Sequence, residues 1–367
     1  MISKKSNEDR QIMRTTDKND TATDRTKIER RSPFLRRNHK HKRKHRKVQL
    51  RDQRTMHYLI DGPDEIERDP TLIKDSGFPV IFAFHGMYLC GKCLVLTDYY
   101  RDHYSSRNAE APFEYIIIAV NRAGYHGSSP VKLGEYSYKE FALDVGEIAD
   151  SLGISKFGVV GHSSGGPNAL ACAAILGKDR VTAFSTLGSD PEYSHFDDIP
   201  YNPMIDCCIG LWLPRFLRVF FPCIRVANGM RNDYILERKD YPFDCESIEQ
   251  RGVVIAGEKD TMLPGWLTQL VNDRLQNAEY KVVPEAEHED LLNDEPLDAT
   301  YRTVVELMKM SEKKGDECVS SLHNLPIDAL IRGEMKGCYR PPMVHPSVPC
   351  NNAIARRSLV AYTTPLQ

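Results

Sequence analysis

The 367 residues include 49 Lys+Arg against 51 Asp+Glu, with 41% apolar and 27% charged positions, enough for a sizeable core in one large domain with extensions or in two domains. A mean hydropathy of −0.46 is too polar for every residue to be packed, and no uninterrupted apolar run of about 18 residues is present, which excludes an ordinary membrane-spanning helix. Ten cysteines are far from a disulfide scaffold.

Charge is unevenly spread. Residues 1–55 carry 19 Lys+Arg and 7 Asp+Glu, which leaves a net −14 on the remainder. This first stretch has almost no periodic apolar residues and is expected to be a disordered basic arm. Its first twenty residues show no apolar signal region, and acidic residues among the first thirty oppose a mitochondrial transit peptide, so the expected location is cytoplasmic. The run His39-Lys40-His41-Lys42-Arg43-Lys44-His45-Arg46-Lys47 suits an anionic surface or an import receptor, which leaves a nuclear location open. Phe34 is the only aromatic residue near it, so sequence-specific nucleic-acid binding is not expected.

From Met56 to Lys313 the pattern changes. A hydrophobic run at Met56–Ile60 is followed by β-branched runs at Pro79–Phe84, Tyr115–Val120, Phe157–Val160, Val181–Leu187, Val253–Ile255 and Tyr280–Val283. Continuous apolar runs suit strands buried on both faces of a parallel sheet. Between them, Phe141, Val145, Ile148 and Leu152 share a helical face, as do Leu267, Leu270, Val271 and Leu275; Val304, Val305 and Met308 mark a last helix. Strand alternating with helix predicts an α/β fold, a mostly parallel sheet with helices on both faces.

One stretch, about 193–244, interrupts the alternation. It contains Ile209-Gly210-Leu211-Trp212-Leu213-Pro214-Arg215-Phe216-Leu217-Arg218-Val219-Phe220-Phe221-Pro222 and reads as an insertion of short helices. A packed lid over a pocket fits it better than a membrane-surface helix, because strands resume on both sides. Residues 314–367 hold scattered prolines without a period and are expected to be a loosely ordered tail.

The segment Gly161-His162-Ser163-Ser164-Gly165-Gly166 lies between a strand and a helix rich in small residues. Such a turn is so tight that glycines at 161 and 165 are needed to avoid clashes, and it lifts the Ser163 hydroxyl clear at the sheet edge. A serine needs a base to take its proton, and the base needs an orienting acid. Strand ends downstream supply both: Asp260 in Gly257-Glu258-Lys259-Asp260, and His288 in Glu285-Ala286-Glu287-His288. Asp260 could instead cap the helix that follows, with Glu258 or Asp190 as substitute acids. Oxyanion donors are expected from the backbone N–H groups of Ser164 and Met87. Gly86 allows close approach there, and His85 acts as a loop brace.

With His85-Gly86, Asn121-Arg122-Ala123-Gly124-Tyr125-His126-Gly127-Ser128-Ser129, the elbow at Ser163, Asp260 and His288 in that order, the chain resembles the α/β-hydrolase fold superfamily over Tyr58–Lys313, in its serine-nucleophile branch. The resemblance implies an eight-stranded sheet, a lid between the sixth and seventh strands, and no metal or organic cofactor. The second landmark departs from the usual Asp-Arg-Pro-Gly-Tyr-Gly-Gly-Ser-Ser at Asn121, Ala123 and His126. Asn293 stands where acyltransferase members often place an Asp. Serine rather than aspartate at the elbow disfavours the dehalogenase and epoxide-hydrolase branches.

Two further features stand outside this scheme. Cys90-Gly91-Lys92-Cys93 is a C-x-x-C with no second pair at metal spacing, so a zinc site is disfavoured and incidental cysteines are expected. Cys207-Cys208 is read as buried. The expected function is a serine hydrolase acting on a carboxylic ester or thioester with an apolar portion. An acyltransferase on the same triad and a non-catalytic binding protein working through its basic arm are the alternatives.

Overall fold

A computed structural model describes residues 43–98, 100–101, 114–195, 228–312 and 325–333. Each β-branched run becomes a strand: β3 (Val80–Phe84), β4 (Ile116–Asn121), β5 (Phe157–His162), β6 (Val181–Leu187), β7 (Arg251–Gly257) and β8 (Ala278–Val283). Two strands precede them, β1 (Arg46–Gln49) and β2 (Thr55–Asp61). The sheet order is β1-β2-β4-β3-β5-β6-β7-β8. β2 pairs antiparallel with both β1 and β4, and every other pairing is parallel. All residues of β3, β4, β5 and β6 are buried, as two-sided coverage requires.

Alternate residues of one strand face opposite layers. Phe82, Phe84, Ile116, Ile118 and Val120 pack with the helices α2 (Tyr138–Ser151) and α3 (Gly166–Leu176). Ile81, Ala83, Ile117 and Ala119 pack on the other side with α6 (Asp294–Glu312). In the chain α1 (Asp64–Arg68) precedes these, α4 (Asn228–Leu236) and α5 (Gly265–Asp273) lie between α3 and α6, and α7 (Pro326–Ile331) comes last. Helix α2 starts at a capping box in which Ser137 Oγ accepts from the Lys139 amide (3.1 Å) and Glu140 accepts from the Ser137 amide (2.9 Å).

The ordered domain is wider than the hydrophobic pattern implies, and both ends correct the expectation. β1 lies inside the presumed basic arm, and Arg43 sets its guanidinium 2.9 Å from the fully buried Asp61 carboxylate. This arginine is a structural counter-ion and not part of a solvated tail. At the other end α7 lies inside the presumed loose tail. Leu325 and Ile327 are buried, the Ile327 amide donates to Thr303 Oγ1 (3.0 Å), and Asp328 pairs with Lys281 (2.8 Å). Residues 1–42, most of the presumed lid (196–227, with Trp212 and Cys207-Cys208) and 334–367 lie outside the described residues. No described helix is long and apolar enough to cross a membrane.

Candidate active site

Parallel strands present their C-terminal ends along one sheet edge, and the candidate residues gather there. Ser163 follows β5 directly, half-buried, with φ +54°, a left-handed conformation that costs a non-glycine residue about 1–3 kcal/mol. Its neighbours leave no alternative to glycine. A Cβ on Gly161 would lie 2.2 Å from the Gly165 carbonyl oxygen, and one on Gly86 would lie 2.8 Å from Ser163 Cβ. The loop carrying Gly86 and the half-buried Met87 therefore lies against the elbow.

Asp260 and His288 are both buried, on the loops after β7 and β8. His288 Nδ1 lies 2.6 Å from Asp260 Oδ2. The other carboxylate oxygen, Oδ1, accepts from the amides of Met262 (2.9 Å) and Leu263 (2.8 Å). Asp260 does not cap the helix that follows, which starts after Pro264 without a side-chain cap; one of its oxygens closes the preceding turn and the other holds the imidazole. Holding the turn fixes the carboxylate that fixes the imidazole. His288 Nε2 is buried and makes no hydrogen bond, to Ser163 or to any other described group. Such a nitrogen is what a general base needs before substrate arrives, since catalytic hydrogen bonds are often long in unliganded enzymes.

His162 braces this arrangement. Its ring lies 4.6 Å from that of His288, and its Nε2–H donates to the His288 carbonyl (3.2 Å). Burial and then the nearby His288 charge hold the His162 imidazole well below the usual histidine range, so it stays neutral. His85 is also held down, by burial and then by the Arg122 charge. It accepts the Arg122 amide at Nε2 (3.2 Å), so Nδ1 carries the proton and donates to the Gly86 carbonyl (2.8 Å). A ring with both nitrogens committed to loop backbone is a brace.

The contacts of Arg122, Tyr125, Asp233 and Gly188 were not read from the sequence, although Arg122 and Tyr125 stand in the second landmark. Arg122 is buried, pairs with Asp233 of α4 (2.6 Å) and donates from Nη2 to Ser164 Oγ (3.0 Å), while the Tyr125 hydroxyl also donates to Asp233. This ties the residue after Ser163 to a helix from the interrupting segment. At Gly188, after β6, a Cβ would stand 2.9 Å from His288 Nδ1 and 3.2 Å from Asp260 Oδ2. A glycine at a strand end was a visible signal, but its partners were not. Of the substitute acids, Glu258 is exposed and accepts the Glu285 amide (2.8 Å), and Asp190 accepts the Tyr193 hydroxyl (2.5 Å). Neither holds His288.

A family model described as alpha/beta hydrolase fold matches residues 79–220. With the strand order and the elbow, that decides the assignment. The chain has the α/β-hydrolase fold. An esterase from Exiguobacterium antarcticum superposes with a TM-score of 0.51 at 18% identity, covering 72% of this chain and 98% of that one. A membrane phospholipase A, described as a bacterial virulence factor, also gives 0.51 at 17% identity, over 73% of this chain and 87% of that one. A fluoroacetate dehalogenase from a Burkholderia species is 32% identical over 90 residues, 23% of this chain; the match spans only 29% of that protein's length.

One carboxyl near the site of this α/β-hydrolase-fold chain titrates unusually. Burial pushes Asp190 up to about 6, against the Tyr193 hydrogen bond and the His288 charge. Its folded form therefore binds a proton more tightly than the unfolded chain, where aspartate titrates near 3.9. The stabilisation is full below that value and is lost as pH rises through about 6. Asp190→Asn is expected to lack this loss, so its stability relative to the parent should grow between pH 4 and pH 7 in urea titrations. A constant difference across that range would contradict the assignment.

Proposed function

We propose that this chain is a serine hydrolase that cleaves a carboxylic ester or thioester through an acyl-enzyme. The fold it shares with esterases supports a hydrolase. The observation that carries the finer reading is the His288–Asp260 bond with Nε2 left unpartnered beside the strained Ser163 elbow. Ser163 Oγ attacks the acyl carbonyl and His288 Nε2 takes its proton, while Asp260 Oδ2 holds the imidazole tautomer and faces the imidazolium charge. The tetrahedral oxyanion is met by the N–H groups of Ser164 and Met87, at the start of the turn that leads into α3. His288 then protonates the leaving alcohol or thiol. Water, deprotonated by the same imidazole, releases the acid and restores Ser163.

A serine nucleophile separates this reading from the chemistry named for the dehalogenase relative. The aromatic segment 209–222 argues for an apolar portion in the substrate. The test is a panel of p-nitrophenyl esters of increasing acyl length, given to the full chain. Turnover with a chain-length optimum is expected, and absence of turnover across the panel would reject the ester reading.

A further inference from the structure

Immediately after the Gly86–Met87 loop, Cys90 caps a short 3₁₀ turn, Gly91–Leu94, with an extended backbone (φ −153°, ψ 169°). The Cys93 amide donates to the Cys90 carbonyl (3.0 Å). That hydrogen bond closes a turn whose end Cα atoms lie within about 7 Å, and a disulfide needs roughly 4.4–6.8 Å. Both thiols are reduced, with Cys90 buried and Cys93 half-exposed. The Cys93 thiol hydrogen-bonds the Cys90 sulfur, and so does the His126 imidazole, which also bonds the Leu89 backbone.

The surroundings show that this contact is built. His126 stands where the usual family pattern has glycine, and it holds a left-handed φ of +37°, a conformation that favours glycine over a residue with a side chain. Asn121 stands where the pattern has aspartate. Its Oδ1 accepts the Gly91 amide (2.8 Å) and its Nδ2 reaches the His126 carbonyl (3.4 Å). Two of the three departures from the pattern thus converge on the Cys-x-x-Cys turn. No group of three His, Cys, Asp or Glu side chains that could hold a metal ion forms among the described residues.

We propose that Cys90 and Cys93 form a dithiol site that reduces low-molecular-mass disulfides and closes reversibly to an intramolecular disulfide. Cys93, the more exposed sulfur, attacks RSSR. Its proton passes to the Cys90 thiolate along their hydrogen bond, and one RS⁻ leaves. Cys90 sulfur then attacks the Cys93 side of the mixed disulfide, releasing the second RS group as RSH with the shared proton. Two protein sulfurs are oxidised by two electrons and one RSSR is reduced, with the −1 charge conserved. The hydrogen bonds from Cys93 and His126 draw the Cys90 thiol down to about 4, so in the resting pair Cys90 is the thiolate that accepts the Cys93 proton. Burial instead pushes the Cys245 thiol up to about 12 and raises Cys172 as well, so neither competes.

Full-length protein equilibrated in oxidised glutathione, acid-quenched, alkylated and mapped by peptide mass decides the matter. Trypsin cuts after Lys92, so closure joins two peptides. The parent is expected to lose alkylation at Cys90 and Cys93 together and to show the joined pair. Cys90→Ser should keep glutathione on Cys93, and Cys93→Ser should show neither joined peptides nor an adduct at Cys90. His126→Asn, with a residue that tolerates positive φ, should slow closure about tenfold at pH 6. Should Cys90→Ser not fold, the half-exposed Cys93→Ser still decides. A parent that keeps both thiols alkylatable, or that stops at a mixed disulfide, overturns the proposal. The readout is independent of whether Ser163 hydrolyses anything.

Discussion

Ser163→Ala is expected to lower kcat/KM for a p-nitrophenyl ester by about 10⁴- to 10⁶-fold. The magnitude follows from what remains. Without the hydroxyl no acyl-enzyme forms, and only binding and the oxyanion donors act on a water. Stability should change by less than about 0.5 kcal/mol, because alanine meets the same positive φ and a half-buried position loses one small polar group. His288→Ala should cost about as much, and the double variant little more, since the two act as one device.

Asp260 offers a sharper dissection. Its oxygen Oδ1 serves the Met262 and Leu263 amides and Oδ2 serves His288. Asp260→Asn can keep the first job, but its NH₂ would then face the proton on His288 Nδ1. Loss of about 10⁴ in kcat with the turn intact is the expected result. A Ser163→Ala enzyme retaining more than a tenth of parental kcat/KM would exclude the acyl-enzyme.

The largest stability effect is expected at Arg122. Arg122→Met removes the ion-pair partner that Asp233 has among the described residues and leaves a carboxylate 6% exposed beside the Tyr125 hydroxyl. Breaking a buried pair from one side costs about 3–5 kcal/mol, because the remaining charge stays desolvated. Urea denaturation should show a midpoint shift with an unchanged m-value. Adding Asp233→Leu should recover most of the loss, since replacing both partners removes the stranded charge. A single-variant loss below about 1 kcal/mol would mean that Asp233 takes up a proton or reaches water. Ester turnover should fall as well, because the Ser164 hydroxyl loses the guanidinium that holds it.

What could be read from the sequence follows the range of the interaction. The elbow is local: glycines at 161 and 165 and a small-residue helix dictate a tight turn wherever the strand before it lies. Asp260 and His288 were legible because each follows a buried apolar run, and parallel strands bring their C-terminal ends to one edge. Arg122 and Asp233 were not, since their partnership spans 111 residues and neither position shows a period or a turn signal. Gly188 carried a turn signal, but its steric reason lies on two other loops.

The misjudged ends have an equally physical cause. Arg46-Lys47-Val48-Gln49 holds one apolar residue because an edge strand buries only half of itself, and its charges also protect the open edge. It therefore reads as part of the basic arm. Helix α7 is six residues long, too short for a helical period to emerge, and its contacts with Thr303 and Lys281 are distant in sequence.

Fluorophosphonate labelling of the folded chain, followed by peptide mapping, tests the serine-hydrolase reading most directly. Modification of Ser163 in the parent and none in Ser163→Ala is the expected result. A folded protein that takes up no probe, or is labelled equally after the substitution, would contradict it.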